Sequence, residues 1–280
     1  MESSRSTSLV AANIARLAQV SEGHMDAPVP TCPEWTVRDL ILHLVLVYRH
    51  KTECMRHGQA PSDWPPEIDV HISPLTQLRA AMADMLAEMT ARGPHSHAYT
   101  WYGPDQTVGF WIRRMVHETV IHRVDAELAV GAPVHEISDE IAADGIDELL
   151  TIFCDWSSRQ WIDELSGLLD ELGTATIGIE AADTGWTVAV RPDGITVEHE
   201  QREDVDVAVI AEPSPMLLWL WRRIPQDGIA VPDEAASDNT QQAGAATARK
   251  GVAVLSDGVT VKGESAAVDK FRRLLETMTQ

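Results

Sequence analysis

Apolar residues in about the first 165 positions recur every three or four residues, which is the spacing of one buried helix face. This pattern predicts four successive amphipathic helices, and four such helices typically pack as a bundle. The third runs from about Pro74 to Met89, and the fourth from Phe110 to Gly131. The apolar positions of the first helix are Leu9, Ile14, Leu17 and Val20.

The second helix has a recognisable start. Thr36 lies three residues before Asp39 at the head of an apolar run, which is the spacing of a capping box. The inward face of this helix is predicted to be Leu40, His43, Leu44 and Val47. A further helix is expected after Ser138, so the sequence predicts a bundle with one added helix over residues 1–165.

Near residue 170 the apolar period changes from 3.6 to two, which indicates strands. Three strand-like runs over residues 176–200 are separated by turn signals, and a fourth covers residues 205–212. A short apolar helix, a polar insertion at about 226–248, a strand pair and a terminal helix complete the pattern. The second predicted domain, residues 170–280, is therefore α+β with a mainly antiparallel sheet.

Composition narrows the possible partners and location. The 280 residues carry a formal charge of −21 without a basic run, which disfavours nucleic acid and anionic membrane surfaces. The longest apolar runs are far shorter than the roughly 20 residues of a membrane span, and the N-terminus lacks the pattern of a signal peptide. The three cysteines are widely separated, so no disulfide framework is indicated, and the cytoplasm is the predicted location.

Candidate metal chemistry lies on the second and fourth helices. Glu118 and His122 are four residues apart, which places both side chains on one helical face. With His43 from the neighbouring helix they would give a divalent metal two imidazoles and one carboxylate. Asp125 lies three residues after His122, a spacing that suits either a carboxylate that orients this imidazole or an aspartate on a solvated helix face. Zinc suits this set, although the ligand types do not exclude iron, nickel or manganese.

Simpler interpretations of the same residues stay open at this point. Arg114 lies four residues before Glu118 and would form an ion pair with it, without any metal. A lone histidine such as His43 on an apolar face is more often a core residue than a ligand. His95 and His97, in a polar loop, form a rival pair of ligands.

The segments VPTCPEWTVRDLILHL and FWIRRMVHETVIHRVDAELA resemble the mycothiol-dependent maleylpyruvate isomerase family. The resemblance implies that the N-terminal domain is a DinB-like metal-binding four-helix bundle. It also implies that the C-terminal domain, ending in VTVKGESAAVDKF, is the family's smaller α+β domain, related in shape to sterol carrier proteins. The family's zinc ligands fall on His43, Glu118 and His122.

The resemblance further implies a zinc- and mycothiol-dependent enzyme that acts on a small electrophilic molecule, as an S-transferase or as a cis-trans isomerase. The family's catalytic arginine falls on Arg222 or Arg223, and the glycine that usually precedes it is absent here. The resemblance assigns no residues to mycothiol binding. A monomer or a homodimer is expected.

Two other classes of function fit the same sequence. One is a non-catalytic protein that binds an apolar ligand in its α+β domain and uses the metal as a brace. The other is a zinc hydrolase in which the metal activates a bound water.

Overall fold

The computed structural model describes residues 3–224, 229–230, 250–254 and 258–279. The chain divides into two compact units, Met1–His135 and Glu136–Gln280. No helix within the described ranges is both long enough and apolar enough to cross a membrane.

The first unit is built from the four predicted long helices. They are α1 (Ser3–Ser21), α2 (Val37–His57), α3 (Pro74–Arg92) and α4 (Val108–Ala129). Helix α1 packs against α4, and α2 packs against both α3 and α4. The side chains that meet between them, among them Leu17, Leu44, Met85 and Val120, are almost fully buried. The helical bundle predicted from the apolar spacing is therefore present.

The predicted capping box fixes the start of α2. The Asp39 N–H donates to Thr36 Oγ1 at 3.4 Å, and the Thr36 N–H donates to Asp39 Oδ2 at 2.8 Å. Both bonds satisfy backbone groups that the first turn leaves without helical partners. At the other end Gly58 adopts φ 66° and its N–H donates to the Cys54 carbonyl. These two ends set the length and phase of the helix that carries His43.

Helix α4 is buried on nearly all sides, and its interior positions include charged residues. Arg114, Arg123, Asp125 and Glu127 are each 7% exposed or less. Burying an isolated charge is costly, so each of these groups needs a partner inside the bundle. The fourth helix thereby carries ionic groups into the centre of the unit.

The second unit combines helices with one sheet. Its helices are α5 (Asp139–Glu148), α6 (Ser157–Gln160), α7 (Ile162–Leu172), α8 (Pro213–Leu220) and α9 (Ser265–Met278). A π-helix, Leu149–Trp156, joins α5 to α6, so the helix predicted after Ser138 is present with an irregular middle. Ser138 precedes α5 but makes no capping hydrogen bond with its side chain.

The sheet has the order β3-β2-β1-β4-β7-β6-β5 among the described strands. The first three strands form the predicted antiparallel meander, with Ile177 of β1 opposite Val188 of β2. Among the strands that the structure describes, β1 and β4 alone pair in parallel, with Ile177 opposite Val207. The strands are β1 (Ala175–Ala181), β2 (Thr184–Arg191), β3 (Gly194–Glu198), β4 (Val207–Ala211), β5 (Ile229–Ala230), β6 (Lys250–Val254) and β7 (Thr260–Glu264).

The structure confirms the predicted fold class, a helical N-terminal unit followed by an α+β unit with a mainly antiparallel sheet. The division between the units follows His135, whereas the sequence places a boundary between residues 165 and 170. The difference arises because α5 packs against α8 and the π-helix packs against β3, which groups both with the second unit. The predicted polar insertion at about 226–248 lies outside the described residues, apart from residues 229–230.

Candidate metal centre

Helices α2 and α4 bring His43, Glu118 and His122 together. The two helices run antiparallel, since His43 lies beside Glu118 whereas Lys51, further along α2, lies over the ring of Trp111, which comes earlier in α4. His43 Nε2 is 3.1 Å from Glu118 Oε1, and His122 Nε2 is 3.4 Å from the same oxygen. One potential ligand atom from each of the three residues lies within 4.8 Å of the others.

This spacing fits a tetrahedral ion. Bonds of about 2.0–2.2 Å to nitrogen and oxygen place neighbouring ligand atoms roughly 3.3–3.6 Å apart in a tetrahedron. The distances from Glu118 Oε1 to the two imidazole nitrogens, 3.1 and 3.4 Å, are close to that range. The donor set of two imidazoles and one carboxylate is one that zinc accepts. The residues present therefore fit a divalent metal.

Asp125 sets the orientation of His122. His122 Nδ1 lies 2.9 Å from Asp125 Oδ2, and the Thr31 hydroxyl donates to the other oxygen, Oδ1, at 2.6 Å. Asp125 is fully buried, so its charge has little solvent to stabilise it and relies on these contacts. With the Nδ1 proton held by Asp125, Nε2 is the nitrogen that could bind a metal.

The predicted ion pair between Arg114 and Glu118 coexists with the cluster. Arg114 Nη2 donates to Glu118 Oε2, while Oε1 faces the two histidines. Burial opposes ionisation, but the charges of Arg114 and His122 hold the pKa of Glu118 well below its usual value. Burial also disfavours charge on His122, yet Glu118 and Asp125 raise its pKa to about 9. The carboxylate therefore has one oxygen for Arg114 and one for a metal.

The site is partly open beside His43. The His43 side chain is 34% exposed, against 13% for Glu118 and 11% for His122. The Trp35 ring lies against both imidazoles, with centroid distances of 4.9 Å to His43 and 6.3 Å to His122. Trp35 thus forms one apolar wall of the site.

The other predicted site residues lie elsewhere. His95 and His97 are exposed in the loop before α4, and the described residues do not bring them into the three-residue group. Arg222 and Arg223 follow α8 in the second unit. Arg222 Nη1 is 3.5 Å from Glu276 Oε1, and Arg223 donates to the Trp221 carbonyl at 2.6 Å.

Sequence reasoning singled out neither Thr31 nor Lys51. Thr31 lies in an irregular proline-containing loop, so no periodic pattern places it beside Asp125. Lys51 is eight residues after His43 on α2, and this spacing puts both on one helical face. This spacing is the sequence feature from which the position of Lys51 could have been predicted.

Comparison with known proteins agrees with this picture. The family model "Mycothiol maleylpyruvate isomerase N-terminal domain" matches residues 7–127. No curated protein matched the sequence.

A crystal structure of the mycothiol-dependent maleylpyruvate isomerase is similar at TM-score 0.50 and 11% identity, covering 78% of this chain and 88% of that chain. A mutant of the isomerase gives TM-score 0.49 and 10% identity over the same shares. A UbiJ-SCP2 ubiquinone synthesis protein gives TM-score 0.27 and 17% identity over 51% of this chain and 95% of that chain.

At such identities the likeness to the isomerase structure shows the fold alone, while the family model covers the segment that holds all three clustered residues. Over residues 7–127, which is less than half of the chain, the sequence is similar to the mycothiol maleylpyruvate isomerase N-terminal domain family.

Proposed function

We propose that the protein is a cytoplasmic zinc- and mycothiol-dependent enzyme that joins the mycothiol sulfur to a small electrophile, either lastingly as an S-transferase or transiently as an isomerase. The observation that carries the proposal is the cluster of His43, Glu118 and His122 inside the family-matched segment. Three protein ligands are one fewer than zinc's usual four, which suits a metal that receives an exogenous ligand.

The surrounding residues support this chemistry. A bound divalent ion would supply the positive charge that keeps a thiol deprotonated near neutral pH. Asp125 holds His122 in the tautomer that presents Nε2. Arg114 keeps Glu118 ionised, and Trp35 shields one side of the site from water.

The fate of the thiol tests the proposal. Metal-loaded protein is incubated with mycothiol and either a cis-configured unsaturated keto acid or an alkyl halide, and products are identified by mass spectrometry. An S-transferase gives a thioether that retains mycothiol, whereas an isomerase returns free mycothiol and a trans product. Protein without metal, run in parallel, should give only the uncatalysed rate. In a separate assay without mycothiol, cleavage of an ester or amide by the metal-loaded protein, together with no product from either electrophile, would contradict the proposal and indicate a hydrolase.

The hydrogen bonds at the end of α8 help to decide whether Arg222 or Arg223 corresponds to the family's catalytic arginine. The Arg223 N–H donates to the Leu218 carbonyl and the Arg222 N–H donates to the Trp219 carbonyl, which is the hydrogen-bond pattern of a Schellman motif. Arg222 has φ 61° and so occupies the position that glycine usually takes. The glycine missing from the family pattern corresponds to Arg222, and we propose Arg223 as the family's catalytic arginine.

Two substitutions distinguish the arginines. Arg222→Gly should keep activity and change stability by no more than about 1 kcal/mol in the favourable direction, because it removes a strained left-handed arginine. Arg223→Gln should lower kcat by about 100-fold or more if its charge acts on the reacting groups. Steady-state kinetics and thermal unfolding check both. The opposite ranking of the two variants would assign the role to Arg222.

A further inference from the structure

The segment between α1 and α2 reaches the candidate metal centre at two points. Residues 28–36 of this segment form a proline loop. From this loop, the Thr31 hydroxyl bonds Asp125, which in turn contacts His122 Nδ1. The Trp35 ring lies against the His122 ring, with 6.3 Å between the centroids. The same imidazole is therefore contacted at its edge through Asp125 and on its face by Trp35.

The proline loop is held in one shape by its own backbone. Three of its nine residues are proline, and each proline fixes its own φ angle. The Val29 N–H donates to the Trp35 carbonyl at 2.9 Å, and the Trp35 N–H donates to the Cys32 carbonyl at 2.8 Å. Because the loop is already ordered, little conformational entropy is lost when Thr31 is held against its partner.

The Asp125 carboxylate keeps one orientation when both of its oxygens are held. The terminal torsion of an aspartate side chain has broad minima, so a bond to one oxygen alone allows the group to turn. Here Oδ2 lies 2.9 Å from His122 Nδ1, and Oδ1 accepts from the Thr31 hydroxyl at 2.6 Å. Asp125 is fully buried, so bulk water has little access to take the place of the hydroxyl. The Thr31 bond thereby sets the direction from which Asp125 meets the imidazole.

A simpler role for the Thr31 hydroxyl would be to attach the proline loop to the bundle. Other contacts already do this. Val29 is 1% exposed, and the Val37 N–H, at the start of α2, donates to the Ala27 carbonyl at 2.9 Å. Attachment of the loop therefore does not depend on one hydroxyl. What the hydroxyl adds is a second bond to the carboxylate of Asp125, beside a candidate metal ligand.

We propose that Thr31 is a positioning residue of the candidate metal centre, which holds His122 in its metal-binding orientation through Asp125. The proposal rests on the proposed function for its purpose, while the contacts that it uses join only side chains of this chain. Loss of the hydroxyl should weaken metal binding about 10-fold, the lower end of the range for residues that support a ligand, because Asp125 itself remains. Since the proline loop carries both Thr31 and Trp35, the affinity for metal depends on the shape of this loop.

The zinc affinity of three threonine variants tests the proposal. Thr31→Val keeps the shape of the side chain and removes the hydroxyl, whereas Thr31→Ser keeps the hydroxyl. Thr107→Val is the matched control, because the Thr107 hydroxyl also donates to an aspartate, Asp105 Oδ1 at 2.6 Å, but at the start of α4. Thr107 is the N-cap of α4, so its loss lowers stability without altering the support of His122.

The dissociation constant for zinc is measured by competition with a chromogenic chelator. We expect Thr31→Val to raise it about 10-fold, and Thr31→Ser and Thr107→Val to keep it within about threefold of the original. Adding Thr31→Val to Asp125→Ala should change it by less than about twofold, because the effect passes through Asp125. An unchanged value in Thr31→Val, an equal loss in Thr31→Ser or Thr107→Val, or a full second loss in the double variant would overturn the proposal.

An NMR measurement on metal-free, full-length protein separates this proposal from the metal chemistry. The exchange rate of the His122 Nδ1 proton with water is measured in ¹⁵N-edited spectra. Exchange should be about tenfold faster in Thr31→Val, as the loss of one hydrogen bond predicts, and unchanged in Thr31→Ser and Thr107→Val. This result would support the positioning role even if the unaltered protein bound no zinc, an outcome that would refute only the proposed zinc chemistry. Equal exchange in Thr31→Val and the unaltered protein would overturn the positioning role.

Discussion

Replacing His43 or His122 with alanine, or Glu118 with glutamine, is expected to abolish stoichiometric zinc binding and activity together. Each change removes one of three ligands, and loss of even an indirect supporting residue costs about 10- to 100-fold in metal affinity. A direct ligand should cost more, so less than about 1% of the activity should remain. Metal content after dialysis and kcat/KM with mycothiol are the two measurements.

Glutamine is chosen at position 118 so that a loss of metal binding can be measured separately from a loss of stability. Glu118→Ala would leave the buried Arg114 guanidinium without its carboxylate and would destabilise the bundle independently of metal. Helical content measured by circular dichroism should survive in all three variants.

His57→Ala is the matched control for the ligand substitutions. His57 also pairs with a glutamate, Glu53 at 3.1 Å, but on the exposed surface of α2. Its loss should change neither zinc content nor activity. Zinc should also raise the unfolding temperature of the unaltered protein and of His57→Ala, since a ligand that binds only the folded state stabilises it. A variant lacking all three ligands that still bound one zinc per chain would refute the site.

The sequence predicted the three clustered residues because local rules place them. Glu118 and His122 share a face through their spacing of four, and the Thr36 capping box fixes the phase of the helix that carries His43. Both rules act within a single helix. The prediction also required α2 and α4 to be neighbours, and no rule within a single helix provides that. The packing of a four-helix bundle supplied this assumption.

The remaining parts of the site depend on contacts across long sequence separations. Thr31 reaches Asp125 from an irregular loop, and the position of that loop follows from the packing of the whole unit. The division after His135 was also not predicted, because α5 has the same apolar period as the bundle helices yet packs against α8. Apolar periodicity indicates that a helix is amphipathic, but it does not identify the element against which the apolar face packs.

The partners of the charged residues in α4 likewise could not be predicted from the apolar periodicity. Glu127 is fully buried and accepts three hydrogen bonds: Oε1 from Arg16 Nε at 2.8 Å, and Oε2 from Arg123 Nη1 at 2.6 Å and from the His135 N–H at 3.1 Å. Arg123 is 1% exposed and also donates to the Asn13 side chain at 3.1 Å. These contacts join α1, α4 and the segment after α4 through one carboxylate.

Glu127→Ala is therefore expected to destabilise the first unit by about 3–5 kcal/mol, the usual cost of leaving one partner of a buried pair unpaired. Burial already lowers the pKa of Arg123 despite the favourable charge of Glu127, so without Glu127 the cost of charge on the guanidinium is unopposed. Urea denaturation followed by far-UV circular dichroism measures the change. Glu22→Ala, at an exposed position after α1, should stay within about 0.5 kcal/mol.

The double substitution Arg123→Met with Glu127→Met decides whether the loss comes from the unpaired charge. Replacing a whole buried pair with apolar side chains is often nearly neutral, so the double variant should be more stable than Glu127→Ala alone. If the double variant were instead less stable by the sum of the two single losses, the two residues would act independently and the ion pair would not be the cause. Because Glu127 makes no contact with the three clustered ligands, zinc content in the folded Glu127→Ala protein should match that of the unaltered chain, which separates a loss of stability from a loss of the site.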